Sequence, residues 1–146
     1  RISETIARHE RAAIPQSHLM PTVQECFGRL VSRPTAVITL LPGDVATDVL
    51  EFHGLRMGQE IDVMVGRDPA MRPKPEPDGV IDACRILGVA PGSATMIGDS
   101  TWDAQAALAA GATFVGVPAD GFEEDMRERI ATAPTMDQAL QGLGLE

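Results

Sequence analysis

The sequence predicts an α/β fold, a doubly wound parallel sheet covered by helices. Two observations carry that expectation. Four short runs, "AVITL", "IDVMV", "ATMIG" and "TFVGV", are apolar at successive positions. Strands apolar on both faces belong in a parallel sheet with helices on both sides. Stretches with helical spacing or an alanine-rich composition alternate with these runs, and right-handed crossovers wind such an alternation into one layered sheet.

The elements follow in chain order. Ile2, Ile6 and Ala13 form a weak helical stripe, and Val23, Phe27, Leu30 and Val31 a better one, with Pro21 acceptable in its first turn. The first strand spans Ala36 to Leu40 and stops at Pro42-Gly43. A helix starts near Asp44, with Val45, Val49, Leu50 and Phe52 apolar and Gly54 placed as a left-handed stop. Ile61 to Val65 is the second strand, and the proline-rich "RDPAMRPKPEP" is a loop. The next helix runs from about Pro77 to Leu87, with Val80, Ile81, Cys84 and Leu87 on one face and Gly88 ending it. Ala94 to Gly98 is the third strand, Trp102 to Ala110 an alanine-rich helix closed by Gly111, and Thr113 to Val117 the fourth strand. Two weaker helices are expected near Glu123 to Ile130 and Met136 to Leu143.

Composition bounds the function. The 146 residues suit one domain, or most of one, with 44% hydrophobic residues and only 3% aromatic ones. Twelve basic against twenty-one acidic residues give a net charge of −9, with no basic cluster. Nucleic acid and anionic membrane surfaces are therefore poor partners, and an anion site must gather positive charge locally. No apolar run is long enough to span a bilayer. Cys26 and Cys84 read as small buried hydrophobes in a reducing, cytoplasmic compartment. His9, His18 and His53 show no ligand spacing. The chain opens on Arg1, inside a helix-like pattern, which predicts a missing upstream part.

In a doubly wound sheet, ligands bind beyond the carboxyl ends of the strands. Thr39 follows the first strand, Lys74 comes after the second, and Asp99 and Asp103 follow the third. A hydroxyl, a lysine and two carboxylates are a kit for a phosphate and a hard divalent cation such as Mg²⁺. Gly98 lets Asp99 project past the strand end, and Asp103 falls one helical turn later. Two like charges this close repel unless a cation lies nearby. Lys74, between Pro73 and Pro75, is presented from a stiff extended loop. Plainer readings stand beside these: Asp99 as a helix N-cap, Asp103 as a first-turn acid, Lys74 as a solvated loop residue, Thr39 as a strand residue. Asp44 reads as a cap, Asp48 as part of a solvated face, and Asp78 and Asp82 as acids favoured by a helix dipole.

The order of these residues resembles the haloacid dehalogenase superfamily, in its phosphoglycolate phosphatase-like branch. The likeness lies in "AVIT" and in "RPKPEPDGVIDACRILGVAPGSATMIGDSTWDAQAALAAGATFVGV". Thr39 falls at that family's second motif, Lys74 at the third, and Asp99 and Asp103 at the fourth. The resemblance implies Mg²⁺-dependent hydrolysis of a small phosphorylated metabolite through an aspartyl-phosphate. Asp99 would bind Mg²⁺ and Asp103 would complete or support that site. Lys74 would hold the phosphate and the charge of the nucleophile, and Thr39 would hydrogen-bond a phosphate oxygen. "MPTVQECFGRL" resembles the helix that re-enters the core after a helical cap, so residues 1–19 are expected to be a cap remnant and 20–146 an incomplete core.

One departure stands out. The family's first motif, D-x-D-G-T, is absent, because no two of the eleven aspartates are separated by two positions. That motif follows the family's central strand, so nucleophile and strand are expected upstream of Arg1, and residues 1–146 are expected to be inactive alone. Leu40 stands where the branch commonly has Asn. Two alternatives remain open: a non-catalytic relative that binds phosphate and Mg²⁺, and a fragment completed by a partner chain.

Overall fold

A computed structural model describes residues 8, 10–18 and 22–145. The chain divides into two compact units, Arg1–Pro69 and Ala70–Glu146. The expectations for Ile2, Ile6, His9 and Pro21 lie outside the described residues.

In the first unit, β1 (Ala36–Ile38) and β2 (Val63–Val65) pair in parallel, in register from Ala36 with Val63 to Ile38 with Val65. Both strands are shorter than their apolar runs. Thr39 N–H still donates to Val65 O at 2.9 Å, but Leu41 N–H turns back onto Thr39 Oγ1, so Leu40 lies outside the strand. At the other end, Ile61 makes a lone bridge with Met57. The amides of Asp62 and Val63 both donate to Thr35 O, and strict pairing starts only at Val63.

Helix α1 (Val23–Arg29) buries Cys26, and Val23, Phe27 and Leu30 are half-buried. The expected fourth member of that stripe, Val31, is 56% exposed, because the helix ends at Arg29 and Leu30 caps it. Helix α2 (Gly43–Phe52) starts one residue before the expected Asp44. Its N-cap is Pro42, which has no side-chain acceptor. Asp44 is therefore not the cap. It sits in the first turn, where its charge favours the helix dipole, and with Asp48 it grips the Arg11 guanidinium. Gly54, at φ 82°, takes the left-handed position expected of it. Cys26, Val45, Leu55 and Ile61 form the buried centre of this unit.

In the second unit, β3 (Thr95–Gly98), β4 (Thr113–Gly116) and β5 (Ala131–Thr132) are parallel in that order. The two residues of β5 are exposed and carry no apolar run, so nothing in their pattern announces a strand. Helix α3 (Asp78–Leu87) ends on Gly88 at φ 73°, as expected. It buries Val80, Ala83 and Cys84, whereas Ile81, expected on the buried face, is 46% exposed. The reason lies in its neighbour: α4 (Thr101–Ala110) packs on α3 and buries Ala104, Ala106 and Ala107. Small side chains there let the helices approach along the Val80–Ala83–Cys84 stripe and turn Ile81 outward. The helix expected over Glu123 to Ile130 shrinks to α5 (Glu124–Arg127), and α6 (Met136–Gly142) ends the chain's secondary structure. Val115, Val117, Ala133 and Ala139 form a core cluster against Ile97, and Phe114 meets Phe122 edge-on at 5.9 Å.

The fold class matches expectation: parallel strands alternating with helices. Among the described residues, no strand pairs with the second edge of β1 or with the second edge of β3. No helix among them is long and apolar enough to cross a membrane.

Leu140 is 1% exposed. Leu140→Ala is expected to lower the unfolding free energy by about 2–5 kcal/mol, read from a urea titration followed by circular dichroism.

Candidate active site

The site in the second unit begins with a turn. Glu76 N–H donates to Pro73 O at 3.0 Å, closing residues 73–76, and the Lys74–Pro75 peptide is cis. A cis proline at the third position is the mark of a type VI turn. Lys74 is thus presented from a tight turn, not from the extended loop that its flanking prolines suggested. Arg72 anchors the turn to α3: its amide and its Nε donate to Asp78 Oδ2 at 3.1 and 3.2 Å, and its Nη2 to Oδ1 at 2.9 Å. The Arg72 guanidinium, and then its backbone N–H, hold the Asp78 carboxyl below its ordinary 3.8.

Lys74 Nζ donates to Asp103 Oδ1 at 2.5 Å. Asp103 is the only buried charged residue among those described, and the Lys74 side chain is 14% exposed. Two features seat Asp103. Ser100 caps α4 by accepting the Asp103 N–H at 3.1 Å, so the cap is Ser100 and not Asp99. Gly98 then leaves the space the carboxylate fills: a Cβ there would lie 2.7 Å from Asp103 Oδ2 and 2.8 Å from its Cβ. No side chain larger than hydrogen fits between strand and acid.

The two acids of "GDSTWD" therefore differ. Asp103 turns inward onto Lys74. Asp99 is exposed, and its carboxylate makes no hydrogen bond or ion pair among the described residues. Repulsion between the pair is relieved at one member by lysine, and the other carries its charge into solvent. The donors here are oxygens only, and no group of three or more His, Cys, Asp or Glu gathers among the described residues. One or two carboxylates, completed by waters and a phosphate oxygen, suit Mg²⁺. Such a set does not suit the closed nitrogen and sulfur shell of a structural zinc.

Thr39 belongs to the first unit. Its Oγ1 accepts Leu41 N–H at 3.1 Å, which leaves the hydroxyl proton free to be donated. Another pair in that unit looks catalytic and is not. Ser17 Oγ lies 2.9 Å from His53 Nε2, but it already gives its one proton to Ile14 O at 2.6 Å. His53 must then donate to serine, the reverse of general-base activation. Cys26 and Cys84 are free and buried, and burial raises the Cys84 thiol, which makes it inert.

Of the site residues singled out in the sequence, the structure brings Lys74 and Asp103 into contact and sets Asp99 at the end of β3 beside them. Residue spacing did not reveal Ser100 as the cap or Arg72 as the anchor of the lysine turn. Ser100 had a signal, since serine is as good an N-cap as aspartate and stands one residue nearer the helix.

The family model for haloacid dehalogenase-like hydrolases matches residues 2–117. Phosphoglycolate phosphatase of Escherichia coli (strain K12) is 33% identical over 132 residues, covering 87% of this chain and 52% of its own. The chain spans about half the length of the curated relatives it matches. Among solved structures, a haloacid dehalogenase-superfamily hydrolase (subfamily IA, variant 1) from Geobacter sulfurreducens PCA superposes with a TM-score of 0.65 at 25% identity, over 73% of this chain and 54% of that one. A superfamily hydrolase from Ehrlichia chaffeensis shares the fold with a TM-score of 0.73 at 19% identity, over 87% and 58% of the two chains.

Asp103→Ala is expected to strand the Lys74 ammonium without its counter-ion and to lower stability by about 3 kcal/mol in urea unfolding. Gly98→Ala should destabilise the native sequence in urea unfolding, and an Asp103→Ala background should relieve only part of that cost, since a Cβ at residue 98 would still lie 2.8 Å from the Cβ that alanine keeps. Acid should erase the contribution of Asp78. A carboxyl lowered on folding stabilises above its unfolded value and ceases to do so as pH falls through the folded one. The urea midpoint of the native sequence should therefore exceed that of Asp78→Asn at neutral pH, and the gap should close below the ordinary value of 3.8.

Proposed function

The chain belongs to the haloacid dehalogenase-like hydrolase family, and on that premise we propose that the whole protein is a Mg²⁺-dependent phosphatase of small phosphorylated metabolites, resembling phosphoglycolate phosphatase. The observation that carries this reading is the Lys74–Asp103 pair beside an Asp99 that has no partner among the described residues, at the end of β3. The identity shared with phosphoglycolate phosphatase supports it.

In this reading Asp99 holds Mg²⁺, and Asp103 supports that site while fixing Lys74. When bound, Mg²⁺ neutralises charge on the phosphoryl oxygens and polarises them. Lys74 holds the phosphate as a point charge, and the Thr39 hydroxyl donates to one of its oxygens. Catalysis of phosphoryl transfer is chiefly such positioning and neutralisation. The attacking aspartate and the acid two residues beyond it are absent from the 146 residues, so we assign them to an upstream segment. A carboxylate nucleophile divides the displacement into formation and hydrolysis of an acyl phosphate.

Residues 1–19 are then a remnant of a helical cap, and 20–146 an incomplete core. The second edges of β1 and β3, which carry no strand among the described residues, support a further strand from the upstream segment or from a partner chain. The free buried cysteines support a reducing, cytoplasmic setting. The net charge of −9 favours a small substrate over nucleic acid or membrane. A second reading, a non-catalytic domain that binds phosphate and Mg²⁺, draws support from the missing D-x-D pair.

The full-length protein is expected to hydrolyse p-nitrophenyl phosphate only with Mg²⁺, to lose at least about 100-fold in kcat on Asp99→Asn, and to show no turnover as residues 1–146 alone. Mg²⁺ binding by calorimetry without any turnover would favour the second reading.

A further inference from the structure

Trp102 takes no part in the chemistry above. It is the one tryptophan of the chain, and it is 57% exposed. An indole in water leaves a large apolar area unburied, and helix formation gives no reason for it, since tryptophan is only a middling helix former. Among the described residues neither its ring nor its Nε1–H has a partner; the ring contacts join Phe52 with His53 and Phe114 with Phe122.

Its place in α4 aims it at the site. Ser100 caps the helix, so Trp102 stands in the first turn, directly before Asp103 and three residues after Asp99. Asp103, Ala104, Ala106 and Ala107 are buried, whereas Trp102, Gln105 and Ala109, spaced three and four apart, form the exposed stripe. A long side chain on a helix leans toward the N-terminus and covers the turn before its own Cα. In the first turn that direction runs off the helix end, toward the end of β3 where Asp99 is exposed. The other exposed large apolar side chains described in this unit are Ile81, Ile86 and Leu143, and none of them stands on the turn that leaves a strand. A phosphate monoester has a charged head and a leaving group of its own character. An indole face offers little to the head and much to a flat ring, which it meets offset-stacked or edge-on.

We propose that Trp102 is a specificity-determining residue whose indole packs on the leaving group of the ester, so that phosphate monoesters of flat aromatic groups are preferred over those of small aliphatic ones. The assignment rests on the phosphatase reading and deepens it by naming the class of ester. Phosphorus chemistry stays with Lys74 and Asp99, and Trp102 acts only in binding. All three belong to the second unit.

The test uses the full-length protein with two esters that differ in the ring, phenyl phosphate and ethyl phosphate. Trp102→Ala should lower the ratio of kcat/KM for phenyl phosphate to that for ethyl phosphate by about fivefold or more, chiefly through KM. Trp102→Phe should restore most of the ratio, because a ring face remains. Phenylphosphonate should quench the tryptophan emission that separates the native protein from Trp102→Phe, and methylphosphonate should leave it unchanged. An unaltered ratio, equal losses on both esters, or emission indifferent to phenylphosphonate would overturn the assignment and leave the phosphatase reading standing. Absence of turnover of both esters by the native sequence would overturn both.

Discussion

The ion pair between Lys74 and Asp103 is the interaction on which the second unit's site depends. Carrying a carboxylate and an ammonium out of water is costly, and their attraction offsets that cost only when the geometry is close. Every nearby element serves that geometry. Ser100 fixes the start of α4 and so the direction of Asp103. Gly98 yields the space beneath the carboxylate. The turn over residues 73–76 aims the lysine, and Arg72 clamps that turn to α3 through Asp78. The arrangement sorts two neighbouring acids into one that is neutralised within the protein and one that is exposed to solvent.

Both units use glycine in the same way at a strand end. In a parallel sheet every functional loop leaves from the carboxyl edge, so side chains and loops crowd over the last strand residues. Gly66 admits the backbone of Gly43 over β2, and Gly98 admits the side chain of Asp103 over β3. Only a residue without Cβ allows such close approach. Gly116, in register with Gly98, does the same for the Phe122 ring, which is packing and not chemistry.

Much of the fold was legible because buried parallel strands and glycine-stopped helices leave strong local marks. β1 to β4 each fall within an expected apolar run, and Gly54, Gly88 and Gly111 all sit at positive φ where a stop was expected. What local pattern could not show was β5, whose two exposed residues pair with β4 only because α5 and its turns deliver them there. Nor could it show which side of α3 would be buried, since an alanine-lined neighbour selected Val80, Ala83 and Cys84 over Ile81. The site was legible as residue types in order and not as contacts. The twin prolines suggested an extended loop at Lys74, where a hydrogen bond from Glu76 to Pro73 makes a turn.

The sequence by itself determined the α/β class and the family, and it singled out Thr39, Lys74, Asp99 and Asp103 as a candidate chemical kit. These follow from short-range spacing and residue chemistry, which a chain carries whether folded or not. Only the tertiary structure decided how that kit is divided: Asp103 with Lys74, Asp99 outward and without a partner among the described residues, and Ser100 as the cap. Those outcomes depend on distances between residues far apart in the chain, Lys74 and Asp103 at 2.5 Å above all. A charge that is favourable in water becomes tolerable inside a protein only when packing brings its partner to it.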